Sequence, residues 1–313
     1  MDATTASLTL HQLRGLYLRH AEGHYRRRCG DPTGTHLHMR TALDSFVRFA
    51  GEACAASRIN KHMVRAWVDQ QAADSRLTRR YVNDQLSRLR TCIKWAAAWD
   101  HVPVSVTEDL RLVMPLRAFR SRARESVTRT PPTLAQIVKV AKFMPAMPRD
   151  VLRLVKLTAA RPSELLAITN AEVSRCRGGG MIVPVQHKSA HFGHRRVIPL
   201  NVEAMRIIAA WWMPMLPDAR LFPTIRRGSR RGHYSIRGFR STLRRACKRA
   251  GVTPFTPYEV RHAVARHVRR LRGLDAAQAL LGHASIKTTE IYAPLPGGDP
   301  GTLRAARRAT EVL

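Results

Sequence analysis

Five places in the second half of this 313-residue chain carry side chains able to do chemistry on an anion. Arg161 precedes Pro162 in Thr158-Ala159-Ala160-Arg161-Pro162-Ser163-Glu164. Proline suits a first helical position, so Arg161 lies at a helix N-terminus, where backbone N–H groups and the helix dipole already favour negative charge. Taken alone, a surface Arg with Glu164 as an N-terminal carboxylate is the simpler account. Lys188 is the only Lys between Lys156 and Lys248, and unlike Arg a Lys can release a proton when burial or neighbouring cations depress its pKa; a chance Lys in a hairpin loop would look the same. Tyr258 and Arg261 share a face at i, i+3 on the first turn of a helix begun by Thr256 and Pro257. In Leu280-Leu281-Gly282-His283-Ala284-Ser285 a helix ends at Gly282, His283 occupies the turn and Ser285 can cap the next helix. Tyr292 closes that short helix, a place where a lone Tyr is usually half-buried core. His187, His191 and His194 share the Lys188 loop, but no Cys, Asp or Glu completes a metal set at recognisable spacing, so no metal is expected.

Charge identifies the class of anion. Lys+Arg number 54 against 22 Asp+Glu, a formal net charge of +32 with a pI near 11.6. Only eight of the basic residues are Lys, and the planar fork of the remaining Arg suits bidentate phosphate contacts. A GC-rich genome accounts for Arg over Lys but not for +32. The candidates are nucleic acid and an anionic membrane face. No stretch approaches 18 consecutive apolar residues, and Met1 to Thr5 lacks the basic-then-apolar order of a signal peptide. The five Cys (29, 54, 92, 176, 247) lie far apart with no C-x-x-C, as expected of reduced thiols in a cytoplasmic protein.

The elements that must position these residues follow from apolar periodicity. Residues 1–114 read as a helical domain, with amphipathic patterns over Leu8–His20, Thr35–Gly51, Asn60–Ala72 and Thr78–Asp100 and no convincing strand. Residues 115–132 are basic, lack periodicity and end on Pro131-Pro132, which predicts an interdomain linker. Its Arg117, Arg120, Arg122 and Arg124 could lie as a strap along a phosphate backbone. Residues 133–313 open with helices at Thr133–Phe143 and Arg149–Thr158 and another near Pro162. Short β-like runs follow at Val173–Arg177, Met181–Gln186 and Arg195–Leu200, the first two separated by Gly178-Gly179-Gly180. Helices return at Val202–Met213, Ser235–Ala250, Tyr258–Leu271, Asp275–Leu281, after Ser285 and at Thr302–Val312. The class is mainly α with a small antiparallel sheet (α+β). The net charge is +10 through residue 129 and +22 beyond it, so both parts are expected to meet the polyanion. Leu274–Tyr292 also has the rhythm of a helix-turn-helix, which would make the protein a DNA binder without catalysis, and this segment alone leaves the catalytic and non-catalytic readings close to even.

Taken together, Arg161-x-x-Glu164, Lys188 in a hairpin, Tyr258-x-x-Arg261, Leu-Gly-His283 and Tyr292 nine residues later resemble the active-site series of the tyrosine recombinases, the phage-integrase family. The resemblance covers essentially the whole chain, by motif and order in the second half. In the first half it rests on a helical core-binding domain ending in the Trp95-to-Pro103 type of segment. It implies a core-binding domain followed by a recombinase catalytic domain. It also implies DNA strand exchange in which Tyr292 attacks phosphorus to give a 3′-phosphotyrosine, Arg161 and Arg261 hold the phosphate, His283 donates a third hydrogen bond and Lys188 protonates the leaving 5′-oxygen. Glu164 would orient Arg161. No cofactor is implied, because the tyrosyl ester conserves the bond energy. The implied partners are double-stranded DNA, further copies of the chain in a tetramer on two paired sites, and accessory DNA-bending proteins. The helix Thr302–Val312, tethered by Pro294–Gly301, would dock on a neighbouring subunit. Two departures stand out: the family usually has His where this chain has Tyr258, and Gly where it has Ala159. A phenol, with a reference pKa near 10, is a poor proton shuttle at neutral pH. A non-catalytic DNA-binding regulator of the same fold and a type IB topoisomerase-like enzyme are the competing readings.

Overall fold

The computed structural model describes residues 8–26, 30, 32–127, 129–185, 196–223 and 234–282. The chain divides into two compact units, Met1–Arg129 and Thr130–Leu313.

The first unit is built from α1 (Leu10–His24), α2 (Thr35–Ala50), α3 (Lys61–Ala73), α4 (Arg79–Ala98) and α5 (Val104–Arg111). Each start that the sequence marks with a polar cap is capped. Thr9 and Gln12 form a reciprocal box, Asn60 accepts from the N–H groups of His62 and Met63, and Thr78 accepts from Tyr81. Helix α4 buries Val82, Leu86, Leu89 and Ile93, three or four residues apart, against Tyr17, Phe46 and Trp67. The indole N–H of Trp67 finds Ser45 Oγ at 3.2 Å, so its burial leaves no unpaired donor there.

The basic stretch expected to be a linker behaves differently over its first half. Asn83 on α4 accepts from the Leu116 N–H (2.8 Å) and donates to the Leu116 carbonyl (3.0 Å). The Arg79 N–H donates to the Arg124 carbonyl at 2.8 Å, and Arg79 Nε reaches Glu125 at 2.7 Å. Residues 116–125 are therefore tied to the start of α4. Arg117, Arg120, Arg122 and Arg124 remain exposed. Glu125, the only acid between Pro115 and Pro132, supplies the anchor that periodicity could not show.

The second unit runs α6 (Leu134–Ala141), α7 (Ala146–Thr158), α8 (Pro162–Ala167), β1 (Val173–Cys176), β2 (Gly179–Ile182), β3 (Ile198–Leu200), α9 (Val202–Ala209), α10 (Ile236–Arg249) and α11 (Pro257–Leu281). The strands form one antiparallel sheet in the order β1-β2-β3, with Val173 opposite Ile182 and Ile182 opposite Ile198. Helix α7 is central, packing on α6, α8, α9 and α11, and its Leu152 and Val155 share a core with Ile182, Ile198, Phe222, Phe239, Leu243 and Val260.

Three expected boundaries shift for identifiable reasons. Gly179 and Gly180 belong to β2 rather than to the turn, because Gly179 pairs with Cys176. That strand stops at Ile182, since Pro184 has no N–H for a ladder and the Val183 and Val185 N–H groups turn to the Glu172 carbonyl and carboxylate. Helix α9 ends at Ala209 rather than Met213, because buried Asn170 captures the chain, accepting from the Trp212 indole through its carbonyl and from the Met213 N–H through Oδ1.

Candidate active site

The site begins where α7 ends. Thr158 Oγ1 donates to the Leu154 carbonyl and accepts from the Ala160 N–H, and Ala159 takes a left-handed conformation (φ 49°, ψ 20°) while fully buried. For a residue with a Cβ this costs on the order of 1–2 kcal/mol, the physical reason that glycine is the easier residue at this corner. The turn aims the Ala159 carbonyl inward and leaves Arg161 as the N-cap of α8, with Pro162 in the first helical position.

Glu164 is the hub of the corner. Only 3% exposed, it takes Arg161 Nη1 on Oε1 at 2.5 Å and the Arg161 backbone N–H on Oε2 at 3.2 Å. One carboxylate oxygen thus fixes the guanidinium of Arg161 and the other fixes its backbone. A second buried cation, Arg196, places Nε 3.8 Å from Glu164 Oε2. Burial pushes the Arg196 pKa down and nearby Arg161 adds to the effect, while Glu164 opposes it.

The other wall is α11. Arg261 on its first turn is completely buried and donates to the Ala159 carbonyl at 2.5 Å and to the Leu281 carbonyl at 3.0 Å. Arg261 and Leu281 are 20 residues apart, about 30 Å along an unbroken helix, well beyond an arginine's reach. The bond exists because Gly273 (φ 86°, ψ 179°) breaks α11 and turns its last two turns back. That break agrees with the two helices expected from Tyr258 and Asp275. Ala159, Val264, Ala265 and Leu281 pack together at the junction. Arg261 thereby ties three distant pieces of sequence: the residue two before Arg161, the head of α11, and the residue two before His283.

Tyr258 shares the Arg261 face, as the i, i+3 spacing required. Its hydroxyl lies 3.1 Å from Ser163 Oγ on the first turn of α8, and the Arg240 guanidinium sits 5.9 Å from its ring centroid. Arg161, Glu164, Tyr258 and Arg261 are thus gathered at the α7–α8–α11 corner. Lys188, His283 and Tyr292 lie outside the described residues, as do His187, His191, His194 and the expected helix Thr302–Val312. Two residues at this corner, Ser163 and Arg196, were missed by sequence reasoning. Nothing in the spacing marks Ser163, and Arg196 is hidden among 46 arginines.

The segment 130–296 matches the model of the phage integrase family, and it begins at the first residue of the second unit. The chain belongs to the phage integrase family. Membership makes it a tyrosine-type site-specific recombinase, in line with its relatives. One is the tyrosine recombinase XerC of Corynebacterium efficiens, 27% identical over 246 residues that cover 73% of this chain and 71% of the relative. The fold of this integrase-family chain resembles that of the Tn1549 transposon integrase in complex with transposon right end DNA. The TM-score is 0.70 at 16% identity, covering 96% of this chain and 100% of the other. It also resembles that of the lambda integrase tetramer bound to a Holliday junction, with a TM-score of 0.68 at 17% identity over 92% and 78% of the two chains. Among the described residues no helix is long and apolar enough to cross a membrane.

Proposed function

We propose that this recombinase cuts and rejoins double-stranded DNA at paired sites through a 3′-phosphotyrosyl intermediate, in integration, excision or transposition-type exchange. The supporting observation is the convergence made by Arg261, whose two carbonyl bonds link the Arg161 corner to the helix end that leads to His283. In this reading Arg161 and Arg261 bind the non-bridging oxygens and stabilise the charge that builds as phosphorus becomes five-coordinate, and His283 adds a hydrogen bond. The Tyr292 hydroxyl oxygen bonds to phosphorus while its proton passes to water. The P–O5′ bond breaks, and Lys188 gives its proton to the departing 5′-oxygen. Glu164 orients Arg161, and Tyr258, held by Ser163, occupies the place of the family's usual histidine. The exposed Arg117, Arg120, Arg122 and Arg124 bind phosphate backbone. The active assembly is a tetramer in the cytoplasm, a state that the lambda integrase structure on a Holliday junction exemplifies, with accessory DNA-bending proteins as further partners.

The test uses a supercoiled plasmid carrying the DNA that flanks this protein's own gene. Reactions are stopped with detergent and assayed for protein joined covalently to a 3′ DNA end. Wild type is expected to give the adduct and Tyr292→Phe none. Tight binding without an adduct, unrestored by Tyr258→His, would instead establish a DNA-binding regulator. Relaxation of site-free plasmids by a monomer would establish topoisomerase chemistry.

A further inference from the structure

Arg196 is 5% exposed and takes no part in the chemistry proposed above. It stands two residues before β3 and spans two parts of the site. At one end its Nε lies 3.8 Å from Oε2 of Glu164, the carboxylate whose other oxygen holds the Arg161 guanidinium at 2.5 Å. At the other end its guanidinium occupies the space where a side chain on Gly282 would fall, Gly282 being the left-handed cap of α11 (φ 61°, ψ 47°). A Cβ built on Gly282 would overlap Nη1 and fall 2.8 Å from Cζ. The glycine before His283 is therefore needed twice, once for its backbone angle and once to let Arg196 pass.

Arg196 Nε and Nη2 have no hydrogen-bond partner among the described residues. Burying a cation carries a desolvation cost that a carboxylate 3.8 Å away offsets only in part, so packing stability does not explain an arginine here. Position does, because one rigid, planar group touches both the carboxylate that orients Arg161 and the residue before His283. We infer that Arg196 is a positioning residue: through Glu164 it fixes the Arg161 guanidinium, and against Gly282 it fixes the C-terminal cap of α11, holding the Arg161 corner and the end of α11 at a set separation. The inference rests on the roles proposed above for Arg161 and His283.

The experiment uses the full chain and the plasmid described above, measuring DNA affinity and the adduct rate at saturating DNA separately. Arg196→Met keeps the length of the stem and removes charge and donors. It is expected to bind DNA within about threefold of wild type, since one phosphate-independent charge is lost. Its adduct should form on the order of 10- to 100-fold more slowly, the effect of a small misplacement of reacting groups. Glu164→Gln should slow the adduct as well. The double variant should be slowed by less than the product of the two single losses, because part of the Arg196 effect runs through the Glu164 carboxylate. Arg196→Lys, which keeps the charge but not the plane, should recover only part of the rate, and it carries the test if Arg196→Met does not fold. Wild-type adduct rates in Arg196→Met, a rate loss that merely follows lost binding, or multiplicative losses in the double variant would each overturn the inference. Absence of an adduct from wild type would overturn the proposed function, and the inference with it. That failure is told apart because it appears before any variant is compared.

Discussion

Gly282→Ala is expected to destabilise the second unit far more than the same substitution at another glycine of equal backbone angle. Gly282 has φ +61° and Gly251 has φ +62°. Placing a Cβ in the left-handed region costs on the order of 1–2 kcal/mol at either position. At Gly251 the new methyl meets no heavy atom within 4 Å, whereas at Gly282 it runs into the Arg196 guanidinium. Arg196 is buried, so it cannot swing into solvent, and overpacking of this kind adds roughly 1–3 kcal/mol. The totals are about 1–2 kcal/mol for Gly251→Ala and about 2–5 kcal/mol for Gly282→Ala. Hydrogen exchange of the α7 and α10 amides in the intact protein reads the second unit by itself. In an Arg196→Ala background the Gly282→Ala penalty should shrink to the Gly251→Ala value, because only the backbone term is left. Equal penalties at the two glycines, or an excess at Gly282 that survives removal of Arg196, would refute the close approach and the reasoning built on it.

Two further outcomes concern the first unit. Asn83→Ala removes the acceptor of the Leu116 N–H and one of the two donors to its carbonyl, leaving Arg79 Nη1, and should cost about 1–3 kcal/mol; faster trypsin cleavage after Arg117, Arg120 and Arg122 checks it, and an unchanged digestion rate refutes the anchoring of residues 116–125. His20 stacks on Trp95 and His24 at centroid distances of 5.1 and 5.2 Å, and burial first, with His24 second, holds its pKa below the ordinary histidine value. The fold thus favours the neutral ring. This contribution is complete above the unfolded-state value near 6.5 and is lost as pH falls through the lower folded-state value. The unfolding temperature of the first unit should drop on acidification, less steeply in His20→Gln, and an identical profile in the variant would exclude His20 as a cause.

Much of the fold was legible because helix starts are local. Thr9 with Gln12, Asn60, Thr78, Thr133 with Gln136, Ser235 and Thr256 with Glu259 each cap a helix within three residues of themselves, a range at which residue type and spacing suffice. Helix ends were less legible. Those of α9 and of strand β2 depend on Asn170 and Glu172, which meet them from far along the chain. The ties of the stretch 116–125 were not legible for the same reason, since its partners Arg79 and Asn83 lie more than 30 residues away.

By itself the sequence determined the polyanion partner, through +32 of charge, and the order Arg161, Glu164, Tyr258, Arg261 in which site residues appear on their helices. Residue type and helical period act over a few residues and survive any packing. Only the tertiary structure decided that Arg261 would be wholly buried between the Ala159 and Leu281 carbonyls, that Glu164 would stand between two guanidiniums, and that Gly282 would make room for Arg196. A buried cation is set by partners that folding brings from up to about a hundred residues away, and a linear chain records neither their distance nor the water they exclude.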